Sequence, residues 1–373
     1  MRINEFSYLN KKNNWNLKST KFNDFTLLVG VSGVGKSKIL RALLDIKLLA
    51  EGKIPGDIKW TIKFETSIGK EYIWEGEIEQ VQEDSIFESP NNSNIANLEI
   101  KYEKLILNGT EIFVRDKNKC IFLQQVMPKL SFTESLIFTL KEEPLISQVL
   151  KGFKQIIFSE SNSSVDNLLS INQLYNKYAS AEKVISSDLA IIVKLTLIYQ
   201  NDRNLFNQIK ETFCDIFPNI EDIKIEPLNI EHLVFKELPL LQIKEYSVDY
   251  WIPFDEISSG MLRTLTILSQ IYLNPPNSVI LIDNIEDHLG VNCIDFLIDK
   301  IIQNPNNSQV ILTSHHPYII NAIPINALKL VIRNKNIVKI LNVETLHSWS
   351  KSNHEIFIKL VNLPEFENGI TNG

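Results

Sequence analysis

Cysteine is scarce: the 373 residues hold only Cys120, Cys214 and Cys293, each isolated and none in a C-x-x-C pair. That spacing excludes a disulfide framework and a thiolate zinc site, so the three read as small apolar core residues in a reducing compartment. Histidine is sparse too, at six residues with no metal-ligand spacing. Positive charge is not in excess. Thirty-eight Lys+Arg stand against 45 Asp+Glu, a net charge of −7, so no bulk field draws the chain to nucleic acid or to an anionic membrane. A local basic patch, and with it a DNA partner, stays open. Long hydrophobic runs are missing as well: the most apolar stretch, residues 189–199, is broken by Lys194, and residues 1–5 hold no apolar targeting core. A cytoplasmic protein with no membrane partner is expected. What is present, 44% apolar and 22% charged residues, is ample for a globular core, and the length predicts two domains or one large domain with an insertion.

Residues 25–29, Phe-Thr-Leu-Leu-Val, form a short apolar run that reads as a buried strand and leads directly into Gly30-Val31-Ser32-Gly33-Val34-Gly35-Lys36-Ser37. Apolar residues at 39, 40, 43, 44 and 46 then keep to one face of a helix. Alternation at Ile58, Trp60, Ile62 and Phe64, repeated at Tyr72, Trp74 and Ile78, predicts antiparallel strands. Asn108-Gly109 marks a tight hairpin before Ile112, and 120–123 add another strand. Residues 58–123 thus read as a β-meander, interrupted by a polar loop near 89–94.

From about 133 to 217 the period turns helical, with Ser187-Asp188 and Asp202 as expected N-caps and a stripe from Leu205 to Phe217 that stops at Pro218. Strand-like pieces at 240–243 and 250–252 follow, then Ile257-Ser258-Ser259-Gly260-Met261 opening a helix. An apolar strand, 279–282, ends at Asp283, and a helix follows from about 292 to 303. A third apolar strand, 310–313, ends at Ser314-His315-His316, and a short helix near Ile319 and strands at 328–333 and 337–341 close the pattern. No repeat and no sustained heptad occurs, which excludes a long coiled-coil arm.

Residues 30–37 satisfy G-x-x-x-x-G-K-[ST] between a strand and a helix. In that setting the backbone N–H groups of Gly30, Gly33 and Gly35 turn toward a β-phosphate, Lys36 bridges β and γ oxygens, and Ser37 holds Mg²⁺. Val31, Ser32, Val34 and Lys38 complete the expected ATP contacts. A phosphate loop needs a second carboxylate for the metal, and Asp283 at a strand end supplies it. Ser258, Ser259 and Gly260, at a helix start, can present N–H groups to phosphate oxygens, and His315 can donate to a γ-phosphate.

In this order the motifs resemble the ABC-type ATPase heads of the OLD and RecF-like branch, which also includes the SMC heads. Residues 30–37 match Walker A, 257–261 the signature, 279–283 Walker B, Asp287-His288-Leu289-Gly290 the D-loop, and His315 the switch histidine. Phe217-Pro218-Asn219-Ile220 and residues 248–257 are similar to pieces of bacterial AAA-labelled ATPases of the OLD branch. The resemblance implies an α/β P-loop NTPase of the ABC-head type with an antiparallel β-meander and an all-helical insertion. Residues 1–130 and 239–373 would be the two halves of the head, with 131–238 an inserted lid. It implies a Q-loop glutamine after the meander, Gln124 or Gln125, reaching the metal. It also implies a homodimer, or higher homo-oligomer, in which ATP lies between the Walker A of one copy and Ser258 of another.

One departure bears on rate. The family places a glutamate directly after the Walker B aspartate to polarise the attacking water; here Asn284 stands there, in Asp283-Asn284-Ile285-Glu286. An amide accepts no proton, and loss of a general base costs about 10²–10⁴ in rate, so weak ATP hydrolysis is expected. Glu286 would need a rearranged loop to substitute, because strand-end geometry directs it elsewhere. The signature lies too far from the P-loop for a transporter domain, and the stretch beyond residue 341 is too short for the TOPRIM nuclease of OLD proteins. Three readings follow: an ATP-driven sensor or regulator in anti-phage defence with a separate effector, nuclease or toxin; a RecF-like DNA-repair clamp; or an ATP-binding scaffold that does not hydrolyse.

Overall fold

The computed structural model describes residues 1–81, 97–159, 171–227, 239–304 and 306–346. Its centre is a run of parallel strands in the spatial order Ile156–Ser159, Val279–Ile282, Gln309–Thr313, Phe25–Val29 and Leu328–Asn334. Successive side chains of these strands enter two different cores. Leu27, Val29, Ile280, Ile282, Val310 and Leu312 face one, and Leu28, Val279, Leu281 and Ile311 face the other. A strand buried on both faces has no polar alternation, which is why these segments read as unbroken apolar runs.

Beyond Leu328–Asn334 the sheet continues through Ile337–Asn342, Trp15–Lys21 and Arg2–Asn10 into the meander, to a total of 14 strands. The strands Ile58–Glu65, Glu71–Val81, Asn97–Leu107 and Thr110–Arg115 pair antiparallel in sequence order. Asn108 (φ 47°) and Gly109 (φ 84°) form the expected left-handed hairpin turn. The loop anticipated near 89–94 lies outside the described residues.

One core holds the P-loop helix, Lys36–Ala50, and the helix Pro144–Lys154, whose Phe153 ring meets Phe64 at 5.0 Å and Trp74 at 5.2 Å. Beneath the meander, Arg115 donates to buried Glu103 at 2.7 Å, and Glu103 also accepts from Trp74 Nε1 and the Leu136 N–H. A buried carboxylate needs this many donors to offset its lost hydration. The other core holds the helices Ile191–Asn201, Arg203–Ile216, Ser259–Tyr272 and Val291–Ile302.

The stretch expected to be wholly helical also contributes two strands. Ile156–Ser159 forms the parallel edge of the large sheet, and Ile220–Pro227 pairs with Pro239–Glu245 in a separate three-stranded sheet. Asp202 caps its helix through a bond from the Leu205 N–H at 3.0 Å. Ser187-Asp188 do not cap: the next helix starts at Ile191, with Ala190 at its N-cap.

Candidate nucleotide site

The phosphate loop is held in a shape that only glycine adopts readily. Gly30, Gly33 and Gly35 have φ of 145°, 88° and 111°, values that an L side chain rarely takes. At Gly30 space forbids a side chain as well, since a Cβ would lie 2.6 Å from the Val331 carbonyl oxygen. The loop empties into the 15-residue helix Lys36–Ala50, whose first N–H groups and dipole favour an anion. Lys36 Nζ donates to the Gly30 carbonyl at 2.7 Å and to the Val31 carbonyl at 3.2 Å. Burial pulls its ammonium below the ordinary lysine range, while the carboxylate of Glu286, and then that of Asp283, pull it back up. Ser32, Gly33 and Lys38 are exposed on the rim of the loop.

Sheet order brings the second half of the site to the first. Strand Gln309–Thr313 lies between the P-loop strand and Val279–Ile282, so its terminal Thr313 stands beside Asp283. Thr313 Oγ1 donates to Asp283 Oδ1 at 2.5 Å and accepts from the Asn284 N–H at 2.8 Å. Ser37 Oγ, arriving from the loop, donates to the same carboxylate oxygen at 2.9 Å. A serine hydroxyl and a carboxylate in contact form an oxygen donor pair of the kind Mg²⁺ takes when phosphates and waters complete its shell. The residues therefore fit that ion, which would neutralise charge on the phosphates. Among the described residues no cluster of three His, Cys, Asp or Glu side chains forms an all-protein metal cage.

Beyond Asp283 the chain turns sharply. Asn284 has φ 42° and His288 φ 66°, and the Ile285 N–H is anchored on the Thr313 carbonyl at 3.1 Å. The sequence-based expectation that Glu286 points away is corrected here. Its side chain is 9% exposed, and Oε1 accepts from both the backbone N–H of His315 at 2.9 Å and His315 Nδ1 at 2.8 Å. Such a bond fixes the Nδ1–H tautomer of a neutral His315 and leaves Nε2 as an acceptor, so donation to a γ-phosphate would require the protonated ring.

The signature tract lies on its own surface. Ser258 caps the 14-residue helix Ser259–Tyr272, its Oγ accepting from the Met261 N–H at 3.3 Å, and Ser258 and Ser259 are both exposed. Gly260 packs against the D-loop, where a Cβ would lie 2.7 Å from the His288 carbonyl oxygen. Further along the helix, Arg263 donates to Ser159 Oγ at 3.2 Å, and burial pulls its guanidinium pKa down against the opposing carboxylates of Asp287 and Asp283.

Among the described residues Gln124 makes no hydrogen bond to Ser37 or Asp283. It sits exposed at φ 65° in the turn between Cys120–Phe122 and Gln125–Val126, at the opposite end of the 14-stranded sheet from the Walker B strand; Gln125, the alternative, is exposed in the last strand. Three residues of the site escaped sequence reasoning: Thr313, bonded to Asp283; Trp15, whose indole lies against Gly35; and Arg333, whose Nη1 donates to the Gly33 carbonyl at 3.4 Å. Only Thr313 carried a local signal, a hydroxyl at the end of an apolar strand.

Fold and site together define an ATPase head of the P-loop, ABC type. A family described as "AAA domain, putative AbiEii toxin, Type IV TA system" matches residues 25–321, and the chain belongs to that family. Among solved structures, an Smc head bound to the C-terminal winged-helix domain of ScpA aligns with TM-score 0.51 and 12% identity, over 91% of this chain and 97% of that one. The Smc head with an extended coiled coil, bound to the C-terminal domain of ScpA derived from Pyrococcus furiosus, aligns with TM-score 0.51 and 14% identity, over 91% and 96%. At such identity the likeness is one of fold. No curated protein matches the chain. Among the described residues no helix is long and apolar enough to cross a membrane.

Proposed function

We propose that this chain is an ATP-driven switch. Two copies dock head to tail, each ATP with its Mg²⁺ held between the phosphate loop of one copy and the signature helix of the other, and hydrolysis releases the pair. The ATP-bound pair would act as sensor or regulator in an OLD-like bacterial defence system and control a separate effector, a nuclease or toxin. One observation carries the reading: the phosphate loop and the Ser37–Asp283 pair form one half of a site, while the start of the signature helix, Ser258 and Ser259, stands exposed where an anion can reach it. A helix N-terminus of this length favours phosphate. The family description, which names a putative toxin of a toxin–antitoxin system, supports the defence setting.

Light scattering on the purified chain tests the switch. Molar mass should double on adding ATP and Mg²⁺, and should stay at the monomer value in Lys36→Ala. Purification from the native operon would then identify the effector by what accompanies the ATP-bound form and leaves on hydrolysis. A salt-sensitive, ATP-dependent affinity for duplex DNA would instead favour the RecF-like clamp.

A further inference from the structure

We propose that Glu286 is the general base of ATP hydrolysis in this chain, aimed at the reacting water by the left-handed turn at Asn284 and by His315. The inference rests on the ATP-sandwich reading above and adds the group that ends the bound state.

The turn is built to deliver this side chain. Ile285 is fully buried, and its N–H is fixed on the Thr313 carbonyl. The Asn284 carbonyl accepts from the Asp287 N–H at 2.9 Å, and the Glu286 carbonyl from the Leu289 N–H at 3.0 Å. With both flanks held, the positive φ at Asn284 sets the direction in which Glu286 leaves the strand. Asparagine is among the few residues that accept such a φ at little cost, so residue 284 serves the backbone.

The carboxylate is divided in its duties. Oε1 is occupied by two donors from His315, whereas Oε2 is buried and, among the described residues, has no hydrogen-bond partner. A buried acceptor left unsatisfied is costly and calls for a partner, which a water in the site supplies. Burial lowers the affinity of the Lys36 ammonium for its proton and the Glu286 carboxylate raises it, so Glu286 lies within electrostatic reach of the lysine of the phosphate loop. In the hydrolytic step, a water oxygen attacks the γ-phosphorus and one water proton passes to Oε2. The bond from the γ-phosphorus to the bridging oxygen breaks, and its electron pair leaves with ADP. His315 is a positioning residue, since among the described residues its hydrogen bonds run to the base.

Single-turnover conversion of ATP to ADP, with protein in excess and molar mass followed in parallel, tests the assignment. Glu286→Gln should lower the rate by about 10²–10⁴ while the ATP-dependent doubling of mass persists and lengthens. Asn284→Glu should also lower it, because glutamate strains the left-handed turn, and Asn284→Gly should lower it less. In a separate multiple-turnover assay with ATP in excess, His315→Ala should reduce kcat with KM little changed. Undiminished turnover in Glu286→Gln, a faster rate in Asn284→Glu, or a wild type that dimerises with ATP yet forms no ADP over hours would each overturn the assignment. Failure of the wild type to dimerise with ATP would instead strike the reading beneath it.

Discussion

Gly260 shows how a single residue sets the contact between the signature helix and the turn after Asp283. Its missing side chain lets the signature helix lie against the His288 carbonyl, where a Cβ would stand at 2.7 Å. Gly260→Ala should therefore displace the D-loop and cost about 1–3 kcal/mol of stability through overpacking. A lowered Tm together with weakened ATP-dependent dimerisation would be the sign, whereas an unchanged Tm would show that the D-loop yields freely. Legibility at this scale follows range along the chain. Residues 30–37 could be read directly because phosphate chemistry fixes their spacing within one loop. Arg333 reaches the same loop, and Thr313 reaches Asp283, from distant strands, and no local pattern announces either meeting. The contact of Glu286 with His315 is illegible for another reason. It depends on one backbone angle, φ 42° at Asn284, and hydrophobic periodicity carries no information about such an angle.

Among the elements, the signature helix carries the sharpest test, since its first residue has two separable duties. Ser258 is an N-cap, and it faces solvent where a second copy's phosphates would sit. Aspartate caps a helix as well as serine does but brings a negative charge toward polyphosphate. Ser258→Asp should keep the thermal stability of the wild type within about 0.5 kcal/mol and lose ATP-dependent dimerisation. If the variant still dimerised, the helix start would be a cap and nothing more. Elements were legible where burial is simple. The strands buried on both faces appear as apolar runs, and the meander appears as alternation at Ile58, Trp60, Ile62 and Phe64, all 1% exposed or less. The first two strands, Arg2–Asn10 and Trp15–Lys21, escaped notice. In the first, register shifts between Ile3 and Glu5 and between Phe6 and Tyr8 break the period of two that alternation requires. Ile156–Ser159 was absorbed into a helical reading because four apolar-rich residues are too few to reveal a period.

At the scale of the whole molecule, the order of the sheet is what makes a half-site. Placing Gln309–Thr313 between the P-loop strand and the Walker B strand sets Asp283 within reach of Ser37 and leaves the signature helix to begin at the surface. In the proposed head-to-tail pair there would be two composite sites, each drawing its loop from one copy and its helix from the other. Complementation measures this most directly. Lys36→Ala and Ser258→Asp chains, each monomeric alone with ATP and Mg²⁺, should form a dimer when mixed, because the mixture contains one intact site: the loop of the Ser258→Asp copy facing the helix of the Lys36→Ala copy. A mixture that stays monomeric while the wild type dimerises, or a Ser258→Asp chain that dimerises unaided, would contradict the account.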